Sequence, residues 1–121
     1  MITEDYVGFG VAKLLQEKGF DVYISSFYED EGKPIRKGAD WNWNIGPRYS
    51  APTLQMTMKW LREVHKIAIN IGWGEVFEEN YQWWCIILNQ NSGEILRESE
   101  YGKTYEEVCE TAIKYCLEKL I

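Results

Sequence analysis

Residues 81–88, Tyr-Gln-Trp-Trp-Cys-Ile-Ile-Leu, are apolar on both sides of any strand they form beyond Gln82. A strand points successive side chains to opposite faces, so this run asks for cover above and below. Just upstream, Ile67, Ile69, Ile71 and Trp73 alternate with Ala68, Asn70 and Gly72, giving one apolar face and one small or polar face. The chain must therefore build a sheet with a central, two-sided strand.

Other segments fill in around that sheet. Residues 3–18 carry Val7, Val11, Leu14 and Leu15 at helical spacing, with Thr3 as cap and Gly19 as left-handed stop. Gly8 and Gly10 weaken that helix but allow a close backbone approach. Residues 21–28 and 41–45 read as two strands of a hairpin around the polar turn 29–33, with 34–39 irregular. The second strand puts Trp41, Trp43 and Ile45 on one face.

Gly46-Pro47 ends it, and a helix over 52–65 follows, with Ser50 or Ala51 outside and Pro52 in its first turn. An acidic connection spans 74–80, and residues 94–99 return as a strand after the turn 89–93. Thr104-Tyr105-Glu106-Glu107 fits a capping box and opens a last helix along Val108, Cys109, Ala112, Cys116 and Leu120. The expected class is α+β in the order α-β-β-α-β-β-β-α. It is a single domain over 1–121, with an antiparallel sheet of four to five strands and three helices mainly on one face.

Several function classes recede on charge and spacing. The formal net charge is −6, and residues 61–121 hold eleven acids against six bases. Phosphate binding needs clustered Lys and Arg, so nucleic acid is not the expected partner. Lys33, Arg36 and Lys37 beside a glycine turn read as a solvated loop. The three cysteines, 85, 109 and 116, are an odd count with no close ligand pair. They read as buried packing residues rather than disulfides or zinc ligands.

His65 closes the apolar stripe of the second helix and suits its C-terminus better than it suits catalysis. Gly72-Trp73-Gly74 and Gly8-Phe9-Gly10 lack phosphate-loop spacing. No catalytic set, cofactor or metal is expected. Met1–Asp5 lacks a basic and apolar leader, and no run reaches the ~18 apolar residues of a membrane span, so a cytoplasmic location is expected.

From the second helix onward, the order helix, three strands, helix resembles a double-stranded-RNA-binding domain. That family opens its last helix with basic residues. This chain has Glu106-Glu107 there, so the resemblance implies topology without RNA binding. Tyr49-Ser50-Ala51-Pro52-Thr53 with Lys59-Trp60-Leu61-Arg62-Glu63-Val64-His65 resembles short proteins of Bacteroides-type gut bacteria. The start Met1–Val7, the run Thr104–Glu107 and the run Ala112–Leu117 fit the same group. Such proteins tend to be encoded in prophages and other mobile elements, and the resemblance brings no residue roles with it.

The aromatic set remains: six Trp, eight Tyr and four Phe, residues that fill a core between sheet and helices or line an open sheet face. The expectation is a non-enzymatic interaction module with an aromatic sheet surface, and Trp41, Trp43, Trp73 and Trp83 as its contact residues. Its partner would be another protein or a second copy covering the open sheet face. The alternative is an acidic DNA mimic that blocks a nucleic-acid enzyme, with carboxylates spaced along one face. A small enzyme using His65 with a nearby acid or thiol ranks third.

Overall fold

A computed structural model describes residues 2–121, the side chains of residues 99 and 100 excepted. The chain runs α1 (Phe9–Glu17), β1 (Ile24–Tyr28), β2 (Arg36–Trp41), β3 (Tyr49–Ser50), α2 (Leu54–Val64), β4 (Ile67–Phe77), β5 (Asn80–Asn89), β6 (Ile95–Gly102) and α3 (Tyr105–Tyr115). A π-helical turn, Cys116–Leu120, closes it. The α+β class and the alternation of helices with strand groups are as expected. The strands divide between two antiparallel sheets, ordered β2-β1-β3 and β4-β5-β6.

Helix α1 is shorter than its periodicity suggests. Gly8, not Thr3, is its N-cap, and the carboxylate of Glu110 on α3 accepts the Gly8 N–H at 2.8 Å. A Cβ on Gly8 would lie 2.8 Å from that oxygen, so the glycine is what lets the carboxylate in. Residues 5–7 are instead paired with the start of α2: Val7 N–H donates to Pro52 O, and Asp5 O accepts from Leu54 N–H. The stop at Gly19 is as expected, with φ +81°. Gly19 N–H donates to Gln16 O and Phe20 N–H to Leu15 O, a Schellman arrangement that turns Phe20 back into the core.

Thr53 caps α2, its Oγ1 accepting from Met56 N–H at 3.1 Å, so the helix starts at Leu54, two residues after the expected start at Pro52. Thr104 caps α3 in the same way through Glu107 N–H. The Glu107 carboxylate reaches Lys103 N–H.

The hairpin of the first sheet is displaced from its expected place. β2 occupies 36–41, mostly the stretch read as irregular, and Trp43 lies beyond it. Trp43 folds over β1: its indole N–H donates to Ile24 O at 2.9 Å, and its ring stacks on Phe27 at 4.1 Å. Gly38 provides the seat, since a Cβ there would come within 2.9 Å of Trp43 Cζ2. Burying an aromatic ring outweighs the local alternation that put Trp41, Trp43 and Ile45 on one face.

The second sheet carries the core. β4 and β5 form a hairpin from Ile67↔Asn89 to Phe77↔Asn80, so residues 74–80 are mainly strand. Ile67, Ile69, Cys85 and Ile87 face α2 and α3 and are buried with Leu61, Val108, Ile113 and Leu117. No helix among the described residues is long and apolar enough to cross a membrane.

The hairpin turn is Glu78-Glu79, at φ +37° and +62°. A two-residue turn of this kind favours Asn-Gly, because non-glycine side chains resist positive φ. The double substitution Glu78→Asn with Glu79→Gly is expected to stabilise the fold by about 1 kcal/mol. Thermal denaturation reads this as a rise in Tm, and an unchanged or lower Tm would mean the turn is held by other contacts. One such contact is already visible, the Glu75 carboxylate accepting Glu79 N–H at 2.6 Å.

Candidate functional site: the open face of the second sheet

Strand parity decides which side chains of β4, β5 and β6 face the helices and which do not. Cys85 and Ile87 point into the core, so Trp84, Ile86 and Leu88 point the other way. The pairing makes a three-by-three grid on that outer side. Gly72 lies opposite Trp84 and Trp84 opposite Tyr101. Asn70, Ile86 and Glu98 form the next row, and Ala68, Leu88 and Ile95 the third. None of these nine residues belongs to the helix-covered core cluster. Tyr101 and Ile95 are each 49% exposed, and Trp84, Ile86 and Leu88 are half-buried.

Trp84 is anchored from below. A Cβ on Gly72 would overlap the six-membered ring of the indole, so the ring lies flat across the glycine of the neighbouring strand. An aromatic ring shielding a strand glycine in this way stabilises the sheet and stiffens the ring. Beside it runs a shallow groove of about 340 Å³, lined by Glu75, Val76, Trp84, Ile86, Glu98 and Tyr101 among others. Apolar residues dominate its lining, with Glu75 and Glu98 as its acidic members.

The four tryptophans singled out from sequence lie elsewhere. Trp41 is 50% exposed at the end of β2, against Tyr23. Trp43 is the packing residue over Phe27. Trp73 is 58% exposed but lies on the helix side of the sheet, stacked on Tyr81 at 5.1 Å. Trp83 shares that side, packs against the core and meets Tyr105 edge-on at 5.4 Å. Trp84 is the one sequence reasoning missed. The signal was available: with Cys85 and Ile87 as core residues, Trp84 must face outward, and Gly72 is the gap it covers.

The remaining candidates resolve into packing. His65 caps α2 with its ring edge-on to Trp60 at 4.7 Å, and its buried Nε2 has no hydrogen-bond partner among the described residues. Among the described residues, no acid or thiol hydrogen-bonds Nε2 as general-base chemistry would need. All three cysteines are fully buried. Burial first, then Glu106 and Cys85, pushes the Cys109 thiol up to about 11. Burial and then Cys85 push Cys116 up to about 12. Such thiols stay protonated and unreactive at neutral pH.

Among the described residues, no group of three His, Cys, Asp or Glu side chains is placed to hold a metal ion. Arg36 and Lys37, read as part of a loop, lie on β2; Arg36 pairs with Glu29 at 3.7 Å, and Lys37 donates to the Tyr6 hydroxyl. The acids are spread over the 29–31 loop, the β4–β5 tip and α3, and several serve the chain itself. Glu110 accepts Gly8 N–H at the start of α1, Glu107 accepts Lys103 N–H before α3, and Glu29 lies between Arg36 and Arg48.

No protein-family model, curated protein or solved structure matches the chain.

Proposed function

We propose that this protein is a non-enzymatic interaction module that binds a protein partner on the open face of the β4-β5-β6 sheet. One observation carries the reading: a Trp84 ring laid over Gly72, with Tyr101, Ile86 and Ile95 around it, on a sheet face that, among the described residues, no helix packs against. Aromatic anchors of this kind, set in a contiguous apolar patch, are the usual energetic centre of a protein interface. Glu75 and Glu98 on the rim, within a half-chain of net charge −5, select a partner with an apolar centre and basic surroundings. The resemblance of the second and last helices to mobile-element proteins of gut bacteria suits an accessory role in a phage or mobile element.

The test is selection of a random peptide library on the wild-type chain. Enriched peptides are expected to combine an apolar core with Lys or Arg flanks. Trp84→Lys, checked for folding by circular dichroism, is expected to bind them about 30-fold or more weaker, the loss of one hot spot. Acidic winners, or peptides that bind the variant as tightly as the wild type, would refute the reading.

A further inference from the structure

Each of the two sheets has two edges, and three of those four edges are protected. β3 is two residues long. β2 carries Arg36, Lys37 and Asp40, and its register with β1 is broken by a bulge. β6 carries Arg97 and Glu98 and is bulged twice against β5. These are the devices by which folded proteins stop strand edges from pairing.

β4 has none of them over most of its length. It is eleven residues long, its register with β5 is unbroken from Ile67 to Glu75, and residues 67–74 include no charged residue and no proline. Among the described residues, no backbone hydrogen bond outside the β4–β5 ladder reaches residues 67–77. A long, regular, uncharged edge with unpaired N–H and C=O groups is a template for another strand.

We infer that β4 pairs with β4 of a second copy, antiparallel across a two-fold axis, to give a continuous six-stranded sheet. Charge selects this occupant. A chain of net charge −6 repels its own copy over most of its surface, but residues 67–74 carry no charge to oppose contact. The charges that bound the stretch have opposite signs, Lys66 before it and Glu75 near its end. Antiparallel pairing centred on Asn70 sets the Lys66 end of each strand beside the Glu75 end of the other, with opposite charges at both ends of the contact. Such a contact is self-complementary and closed, so it stops at two copies. With the axis perpendicular to the sheet, both open faces lie on one side, joined through Ala68, Asn70 and Gly72. The inference rests on the strand edge and stands apart from the face reading above.

Sedimentation equilibrium of the full chain is the test. The wild type is expected at twice the chain mass of 14.3 kDa. Asn70 is exposed on the edge strand. Asn70→Lys sets two lysines near the axis and is expected to weaken the dimer by about tenfold or more while the fold is kept. Glu98→Lys on the β6 edge and Trp84→Lys on the open face should leave the dimer intact. A wild type monomeric at roughly 100 µM would overturn the inference. So would a dimer that resists Asn70→Lys, or one dissociated by Trp84→Lys, which would place the contact on the face. The peptide selection above reads Trp84 alone, so either proposal can fail without the other.

Discussion

Phe20→Ala is expected to cost about 3–5 kcal/mol of folding stability. Phe20 follows the Gly19 stop of α1, so its direction is set by the helix ending itself. Its ring is 1% exposed and meets Trp60 of α2 edge-on at 5.3 Å. The ring thereby ties α1 to α2, and truncation leaves a cavity among Leu15, Leu61 and the other core residues. A domain of this size has about 5–15 kcal/mol in total, so the loss is a large fraction of it. In urea denaturation the midpoint should fall with the slope nearly unchanged. A change below about 1 kcal/mol would mean the α1–α2 contact is not part of the cooperative core.

Gly72→Val gives the second large effect, and here two principles disagree in sign. Strand propensity favours valine over glycine by up to about 1 kcal/mol. Packing opposes it, because the added side chain occupies the space of the Trp84 ring. Overpacking costs about 1–3 kcal/mol, so net destabilisation is expected. The cause can be isolated by repeating the substitution in a Trp84→Ala background, where the ring is gone. There the cost should fall close to zero or reverse, a coupling of more than ~1 kcal/mol in the double-mutant cycle. Equal costs in both backgrounds would show that the indole does not sit on the glycine. The same cycle bears on the proposed site, since a displaced Trp84 can no longer present a fixed surface.

Much of the fold was legible because it is written in local chemistry. Thr104 three residues before Glu107 reads as a helix start, and Gly19 after a helical stripe reads as a stop. Both hold for reasons contained within a few residues. The alternation of Ile67, Ile69 and Ile71 gave β4 its period. It could not show how far the strand runs, because the Glu78-Glu79 turn lacks the residues such turns prefer. β2 was hidden for a similar reason. Its polar sequence has no apolar face, and it is held by pairing with β1 instead.

The site was harder to read than the fold. Four tryptophans were weighed by type and neighbourhood, and the one on the open face was passed over, although parity against Cys85 and Ile87 marks it. Neighbouring residues of a strand differ completely in environment, so Trp83 packs on Tyr105 while Trp84 covers Gly72.

By itself, the order of residues determined the α+β class, the Gly19 stop of α1, the Thr104 start of α3 and the need for a strand apolar on both sides. Those follow from period, capping groups and the burial of apolar surface. Tertiary structure alone decided that the strands split into two sheets, that Trp43 leaves its strand to stack on Phe27, and that β4 is left as an open edge. These outcomes depend on which distant segments pair, and pairing is a competition among contacts across the whole chain that no short window of sequence contains.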